Sequence, residues 1–203
     1  HKEYVKYLGV LIDNRLSWKP HIDFICNKIS RVVGVISRVR HFLPKKTLLL
    51  IYKTLLQPLL IYGICVWGQA SKTQINKILI LQKRALRLIF RLKFIESAIP
   101  LFIETSILPV TLLYFASLTQ LMYDVTNDAA PSNVNQFFVH TNQIHSYETR
   151  SSAKNNLFSK FSRLNIQSQS FSRVGVRLWN QIPVSIRNLS KSRFKKEIRL
   201  CLF

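Results

Sequence analysis

Apolar and polar positions along the first dozen residues alternate. Val5, Tyr7 and Leu11 fall on one side of an extended chain, and Leu8, Val10 and Ile12 on the other. The stretch "KYLGVLIDNRLSW" (Lys6 to Trp18) therefore predicts a strand, a tight Asp13-Asn14 turn, and a helix opening near Ser17 and Trp18. A strand apolar on both faces belongs inside a sheet. Little else nearby has strand character, so the alternation leaves open whether its partner lies in this chain at all.

The period then changes. Ile22, Ile25, Ile29, Val32, Ile36 and Val39 recur at spacings of three and four, predicting an amphipathic helix from a Ser17 cap to about Phe42. Pro44 opens a second helix that contains Leu48, Ile51, Tyr52, Leu55 and Leu56 and is kinked or restarted at Pro58. After a break at Gly68, a third helix carries Ile75, Ile78, Leu79, Gln82, Leu86 and Ile89 as its buried stripe. Pro100 and Pro109 start two further helices, the second running through Leu112, Phe115, Leu118 and Met122. From Asn127 to about Gln169 the chain is polar and weakly patterned, which reads as a linker with short elements. Order returns at "SFSRVGVRLWNQIPVSIRNLS" (Ser170 to Ser190), with an apolar cluster of Phe171, Val174, Leu178, Trp179 and Ile182, and a last helix spans Ser192 to Leu202. The fold class is mainly α. The expected organisation is 1–95 as a strand plus helical bundle, 96–126 as a helical connector, 127–169 as the polar linker and 170–203 as a basic helical segment.

The run from Leu48 to Gly68 is long enough to test as a membrane span, but Lys53, Gln57 and Pro58 sit in its middle. A lysine near the centre of a lone span costs roughly 2.5–3.5 kcal/mol. A buried, interrupted helix explains the run at lower cost, and no membrane partner is expected. Position 1 is histidine and the only methionine is Met122, so the chain reads as a processed product or, in preference, a piece of a longer one. Cys26, Cys65 and Cys201 are odd in number and far apart, which fits a reducing, intracellular compartment and no zinc site.

Charge changes the picture most. The 203 residues hold 30 Lys and Arg against 9 Asp and Glu, a formal charge of +21. Residues 1–100 carry 18 bases and 4 acids, residues 101–149 carry 4 acids and no Lys or Arg, and residues 150–203 carry 12 bases and 1 acid. Such an imbalance predicts a polyanionic partner met by two surfaces. Lys77, Arg84, Arg87 and Arg91 fall within roughly 80° of one another on the third helix, and Lys28, Arg31 and Arg38 cover a similar arc on the first. Rows of this kind can follow a phosphate backbone, although a solvated helix face has the same pattern. Trp18, Trp67 and Trp179 could stack on bases but sit among aliphatics and are assigned to cores, as are Tyr62 and Tyr147, the last of which precedes Arg150 in an otherwise polar stretch.

No enzyme centre is legible. Two-metal chemistry needs carboxylates close enough to share ions, and no two acids are adjacent. Asp13 reads as a turn residue. Glycine-rich phosphate loops and nucleophile elbows are missing from the sequence. No catalytic residue and no metal ligand is assigned.

The segments "KYLGVLIDNRLSWKPHI", "LPKKTLLLIYKTLLQPLLIYGICVWG" and "KILILQKRALRLIF", followed by "HSYETR" and "SFSRVGVRLWNQIPVSIRN", together resemble the region after the catalytic palm in jockey-type non-LTR retrotransposon reverse transcriptases. The resemblance implies a parent RNA-directed DNA polymerase that uses magnesium in its palm and works in the nucleus during integration. It implies that Tyr7, Leu8 and Gly9 lie on the strand supporting the primer end, and that the strand's partners were in a palm upstream of this chain. The helices after it resemble a thumb, whose partners are RNA, DNA and their hybrid. The catalytic aspartates of the family fall in earlier motifs, so no catalytic role carries over and the chain alone is expected not to polymerise. The alternative is a stand-alone basic helical module that binds nucleic acid without enzymatic activity.

Overall fold

The computed structural model describes residues 4–144, 147, 149, 151, 154–159, 161 and 163–202. The fold is mainly α, with one short antiparallel hairpin at its start. The chain divides into two compact units, residues 1–114 and 115–203.

The single strand expected from the alternation is two strands. Tyr4–Tyr7 (β1) pairs antiparallel with Val10–Asp13 (β2), Tyr4 opposite Asp13 and Tyr7 opposite Val10. Leu8 and Gly9 between them have φ of 45° and 84°, and positive φ at both central residues is what a two-residue type I′ turn requires. The partner of the strand is therefore within this chain, and Leu8 and Gly9 form its turn. Burial on both faces is not found either. All four β1 residues are exposed, and in β2 only Leu11 and Asp13 are buried. Period-two alternation does not mark where a chain reverses, and Leu-Gly lacks the Asn-Gly or Asp-Gly signal that announces such a turn.

Asp13 then closes the connection to the first helix. Its carboxylate accepts the backbone N–H of Ser17 at 3.0 Å and of Trp18 at 2.9 Å. Burial acts to raise its pKa, but these hydrogen bonds outweigh that and hold it below the ordinary 3.8. Helix α1 (Lys19–Val39) starts after Trp18, whose φ is 62°, with Pro20 in its first turn, where a missing N–H costs nothing. Its buried stripe is Ile22, Ile25, Ile29, Val33 and Ile36.

The Leu48–Gly68 run is helical but interrupted. Helix α2 (Lys45–Ile51) passes into a π-helical turn, Tyr52–Leu56, and then into α3 (Gln57–Ile61). The N–H of Gln57 reaches back to the carbonyl of Tyr52, five residues earlier. The wider turn makes room for Pro58, which has no N–H to give and would crowd the carbonyl four residues before it. Helix α4 (Ile64–Trp67) follows, and Gly68 ends it. A Cβ at Gly68 would lie 2.5 Å from the Ile64 carbonyl oxygen and 2.4 Å from the Tyr114 ring, so only glycine fits. Among the described residues, no helix is long and apolar enough to cross a membrane.

Helix α5 (Lys72–Phe90) packs against α1 through Ile75, Ile78, Ala85, Leu86 and Ile89. Its one buried polar residue, Gln82, is saturated. Gln82 Nε2 donates to the Tyr52 hydroxyl at 2.8 Å and the Leu108 carbonyl at 2.9 Å, and its Oε1 accepts the Val110 N–H at 2.9 Å. Helix α6 (Ile99–Glu104) comes next, then α7 (Val110–Thr126), whose residues from Phe115 onward belong to the second unit.

In the second unit, α8 (Ser132–Asn135), a 3-10 turn (Thr141–Gln143), α9 (Asn165–Ser168), α10 (Phe171–Gln181), α11 (Val184–Arg187) and α12 (Lys191–Cys201) are short. Met122, Leu157, Val176, Trp179, Ile182, Phe194 and Ile198 form one hydrophobic core of the unit. Gly175 lets α10 approach α7, because a Cβ there would stand 2.6 Å from the Met122 sulfur. Of the motif His145 to Arg150, only Tyr147 and Thr149 lie among the described residues.

Candidate nucleic-acid interface

The two cationic helices of the first unit lie side by side and run in the same direction. Lys77 meets Asp23 near their starts, and Arg91 meets Arg40 near their ends. Between these points the helices leave an open groove of about 270 Å³, lined by Ser30, Val33, Gly34, Ser37, Arg38, Leu81 and Arg84. A Cβ added at Gly34 would meet nothing within 4 Å, so the groove is not filled by the unit's own packing.

The structure distributes the seven predicted cations unevenly. Arg38 and Arg84 come together on this groove, and both are exposed. Arg31, exposed on α1, is not on the groove's lining. Lys28 folds over the Phe24 ring at 4.3 Å. Lys77 is paired with Asp23 at 2.8 Å, a half-exposed contact of the kind worth about 0.2–1 kcal/mol. Arg87 donates from Nε to the Glu96 carbonyl at 2.8 Å and stands 5.7 Å from the Phe94 ring centre. Arg91 ends α5 in the left-handed region, φ 57°, and donates to the Arg40 carbonyl at 3.1 Å. Arg87 thus also holds the loop after α5 in place, and Arg91 ties the end of α5 to the end of α1.

Sequence reasoning missed the small residues of the groove. Ser30, Gly34 and Ser37 are spaced by four and three, the period of one helix face, and that signal was present in the chain. Two hydroxyls and two guanidiniums around an open groove can donate hydrogen bonds to phosphate oxygens with no base readout.

The hairpin turn is the second exposed feature. Leu8 is 72% exposed and Tyr7 65%. The Tyr62 hydroxyl donates to the Leu8 carbonyl, tying the turn to the segment after α3. Tyr62 is therefore an exposed pinning residue rather than a core residue, and Tyr147 is exposed as well. Trp18, Trp67 and Trp179 are buried, as their aliphatic neighbours predicted.

Other chemistry is weak. Burial pushes the Cys65 thiol up to about 11, and burial followed by the Asp23 charge raises Cys26, so neither is a thiolate at neutral pH. Among the described residues no three His, Cys, Asp or Glu side chains are grouped to hold a metal ion.

Comparison with known proteins adds a relationship. The chain is 39% identical over 91 residues to the RNA-directed DNA polymerase from mobile element jockey of Drosophila melanogaster. It is 37% identical over 89 residues to the probable RNA-directed DNA polymerase from transposon X-element, and 33% over 90 residues to that from transposon BS, both of the same fly. The matches take in 41–43% of this chain and about 10% of each relative, so the chain spans a tenth of their length. No family model and no solved structure matches. Over that shared segment, this chain is similar to the reverse transcriptases of jockey-type non-LTR retrotransposons.

Proposed function

We propose that this chain is the part of a non-LTR reverse transcriptase that grips the template–primer duplex from outside the catalytic centre. The relatives named RNA-directed DNA polymerases support the enzyme context. The observation that carries the role is the open α1–α5 groove, where Arg38 and Arg84 meet over a floor of small residues. The first unit would act as a thumb on an RNA–DNA hybrid, and magnesium would be held by carboxylates of the palm. Among the described residues the one buried carboxylate is Asp13, and the Ser17 and Trp18 N–H groups engage it.

The hairpin supports the same reading. Leu8 is a non-glycine residue at positive φ, in a turn that favours asparagine, and its apolar side chain is exposed. Left-handed backbone costs such a residue roughly 1–2 kcal/mol. An apolar side chain kept at that cost and left facing solvent fits a contact outside the unit. In this reading Tyr7, Leu8 and Gly9 support the primer end, and the exposed β1 residues face the palm.

The test is the salt dependence of binding to an RNA–DNA hybrid. Replacing Arg38 and Arg84 together with alanine should lower the slope of log K against log salt by about 0.9 for each phosphate the arginines neutralise. Filling the groove with Gly34→Leu should weaken binding without loss of thermal stability. Unchanged slopes and affinities in both variants would refute the grip.

A further inference from the structure

We propose that the second unit binds a phosphate group in a cleft beside Arg187. The cleft, about 120 Å³, is bordered by Lys154, Asn155, Trp179, Arg187 and Asn188, and by Thr126 and Asn127 at the end of α7. All of these residues belong to the unit formed by residues 115–203. The volume is well below the roughly 300–1,000 Å³ of drug-sized ligand sites. It holds one tetrahedral group, not a nucleoside.

What selects an anion is a buried charge without a counter-ion. Arg187 is only 8% exposed, and an arginine so deep is ordinarily paired with a carboxylate. Its Nε donates to the Ile182 carbonyl at 2.8 Å, and its Nη1 to the Lys154 carbonyl at 3.2 Å and to Asn156 Oδ1 at 3.0 Å. The Trp179 ring centre stands 5.3 Å from its Cζ. Every one of these partners is neutral, and among the described residues none engages Nη2. Burial alone acts on the Arg187 pKa, lowering it, with no opposite charge to offset the desolvation. The acids of the unit among the described residues are Asp124, Asp128 and Glu197, and none borders the cleft. Asp124 is taken by Lys191 at 2.7 Å.

The rest of the lining divides into spent and free groups. Thr126 Oγ1 donates to the Met122 and Tyr123 carbonyls, and Asn127 Nδ2 to the Tyr123 carbonyl, so these are used internally. Lys154 is a second cation on the cleft and forms no ion pair among the described residues. The exposed side chains of Asn155 and Asn188 make no hydrogen bond among the described residues. A phosphate group supplies the charge that Arg187 lacks, and its oxygens accept from Nη2, the Lys154 ammonium and the two amides. A cation is repelled here, and a neutral ligand would leave Arg187 uncompensated. The reading does not rest on the α1–α5 groove.

The experiment titrates the full chain with inorganic phosphate by isothermal titration calorimetry at neutral pH, with sodium chloride holding the ionic strength constant. Phosphate should bind the unaltered chain. Asn188→Asp puts a carboxylate on the lining with almost no change of shape, and it should abolish that binding. Lys154→Ala removes an exposed charge and should raise the dissociation constant about threefold. Both positions are exposed and their side chains have no internal partner, so both variants keep the core. Arg38→Ala with Arg84→Ala should leave the Asn188-sensitive binding as it was, which separates this cleft from the groove. Competition then identifies the source of the phosphate. Displacement by a short single-stranded oligonucleotide without terminal phosphate makes it a backbone diester, and displacement only by a nucleoside monophosphate makes it a free monoester; either supports the site. No binding of phosphate to the unaltered chain, or equal affinity in the unaltered chain and Asn188→Asp, would overturn the proposal.

Discussion

Two buried polar residues hold the first unit's core to a single arrangement. Gln82 uses its amide to satisfy Tyr52, Leu108 and Val110 at once. Leucine there would keep the volume but strand three polar groups, each costing about 1–3 kcal/mol when buried and unpaired. Gln82→Leu should therefore lower the stability of the chain by at least about 2 kcal/mol, measured by denaturant unfolding. His21 is the other case. The Leu11 N–H donates to its Nδ1 at 3.2 Å, which fixes the imidazole as neutral with its proton on Nε2. Burial, and after it the Lys28 charge, depresses its pKa below the ordinary 6.5. The unfolded chain takes up a proton that the folded chain refuses, so this contribution is whole above pH 6.5 and is lost as pH falls from there through the folded pKa. Asp13 adds a loss at still lower pH, because its pKa is depressed from 3.8. The melting temperature should fall between pH 7.5 and pH 5.5, and His21→Gln should remove most of that fall. A slope unaltered by the substitution would place the proton elsewhere.

At the level of elements, the hairpin and the interrupted helix show where local preference gives way. The π-helical turn at Tyr52–Leu56 admits Pro58 without a break, so Leu48, Tyr52, Leu56 and Leu60 all remain buried. The hairpin turn does the reverse and keeps a residue its geometry disfavours. Leu8→Asn should stabilise the chain by roughly 1 kcal/mol, since asparagine suits a positive φ. If the turn supports a primer end, the same substitution should reduce affinity for a hybrid whose primer terminus lies at the site. A variant that is both more stable and equally tight would remove the functional reading of Leu8.

At the scale of the molecule, two units with separate cores share one helix in sequence. Charge alone predicted two basic surfaces, and each basic block falls largely in a different unit. The phosphate-gripping reading of the first unit is electrostatic, so it belongs to low ionic strength and fades with salt.

Much of this was legible in the chain. Helix periods placed α1, α5 and α7, and for α1 and α5 most of their buried stripes, with Val33 buried in place of Val32 and Val39, and Ala85 in place of Leu79, because an amphipathic helix records its own burial every three or four residues. The family resemblance was also carried by sequence alone. Tertiary structure decided what depends on residues far apart. It paired the opening strand with its own continuation, because a turn at Leu8-Gly9 leaves no mark in a two-residue alternation. It gave Lys77 to Asp23 and Lys28 to Phe24, and brought Arg38 and Arg84 to one groove. Helical spacing states which cations share a face, but only the packing of one helix on another fixes which of those charges are taken up by neighbours, since an ion pair depends on what the adjoining element brings within reach.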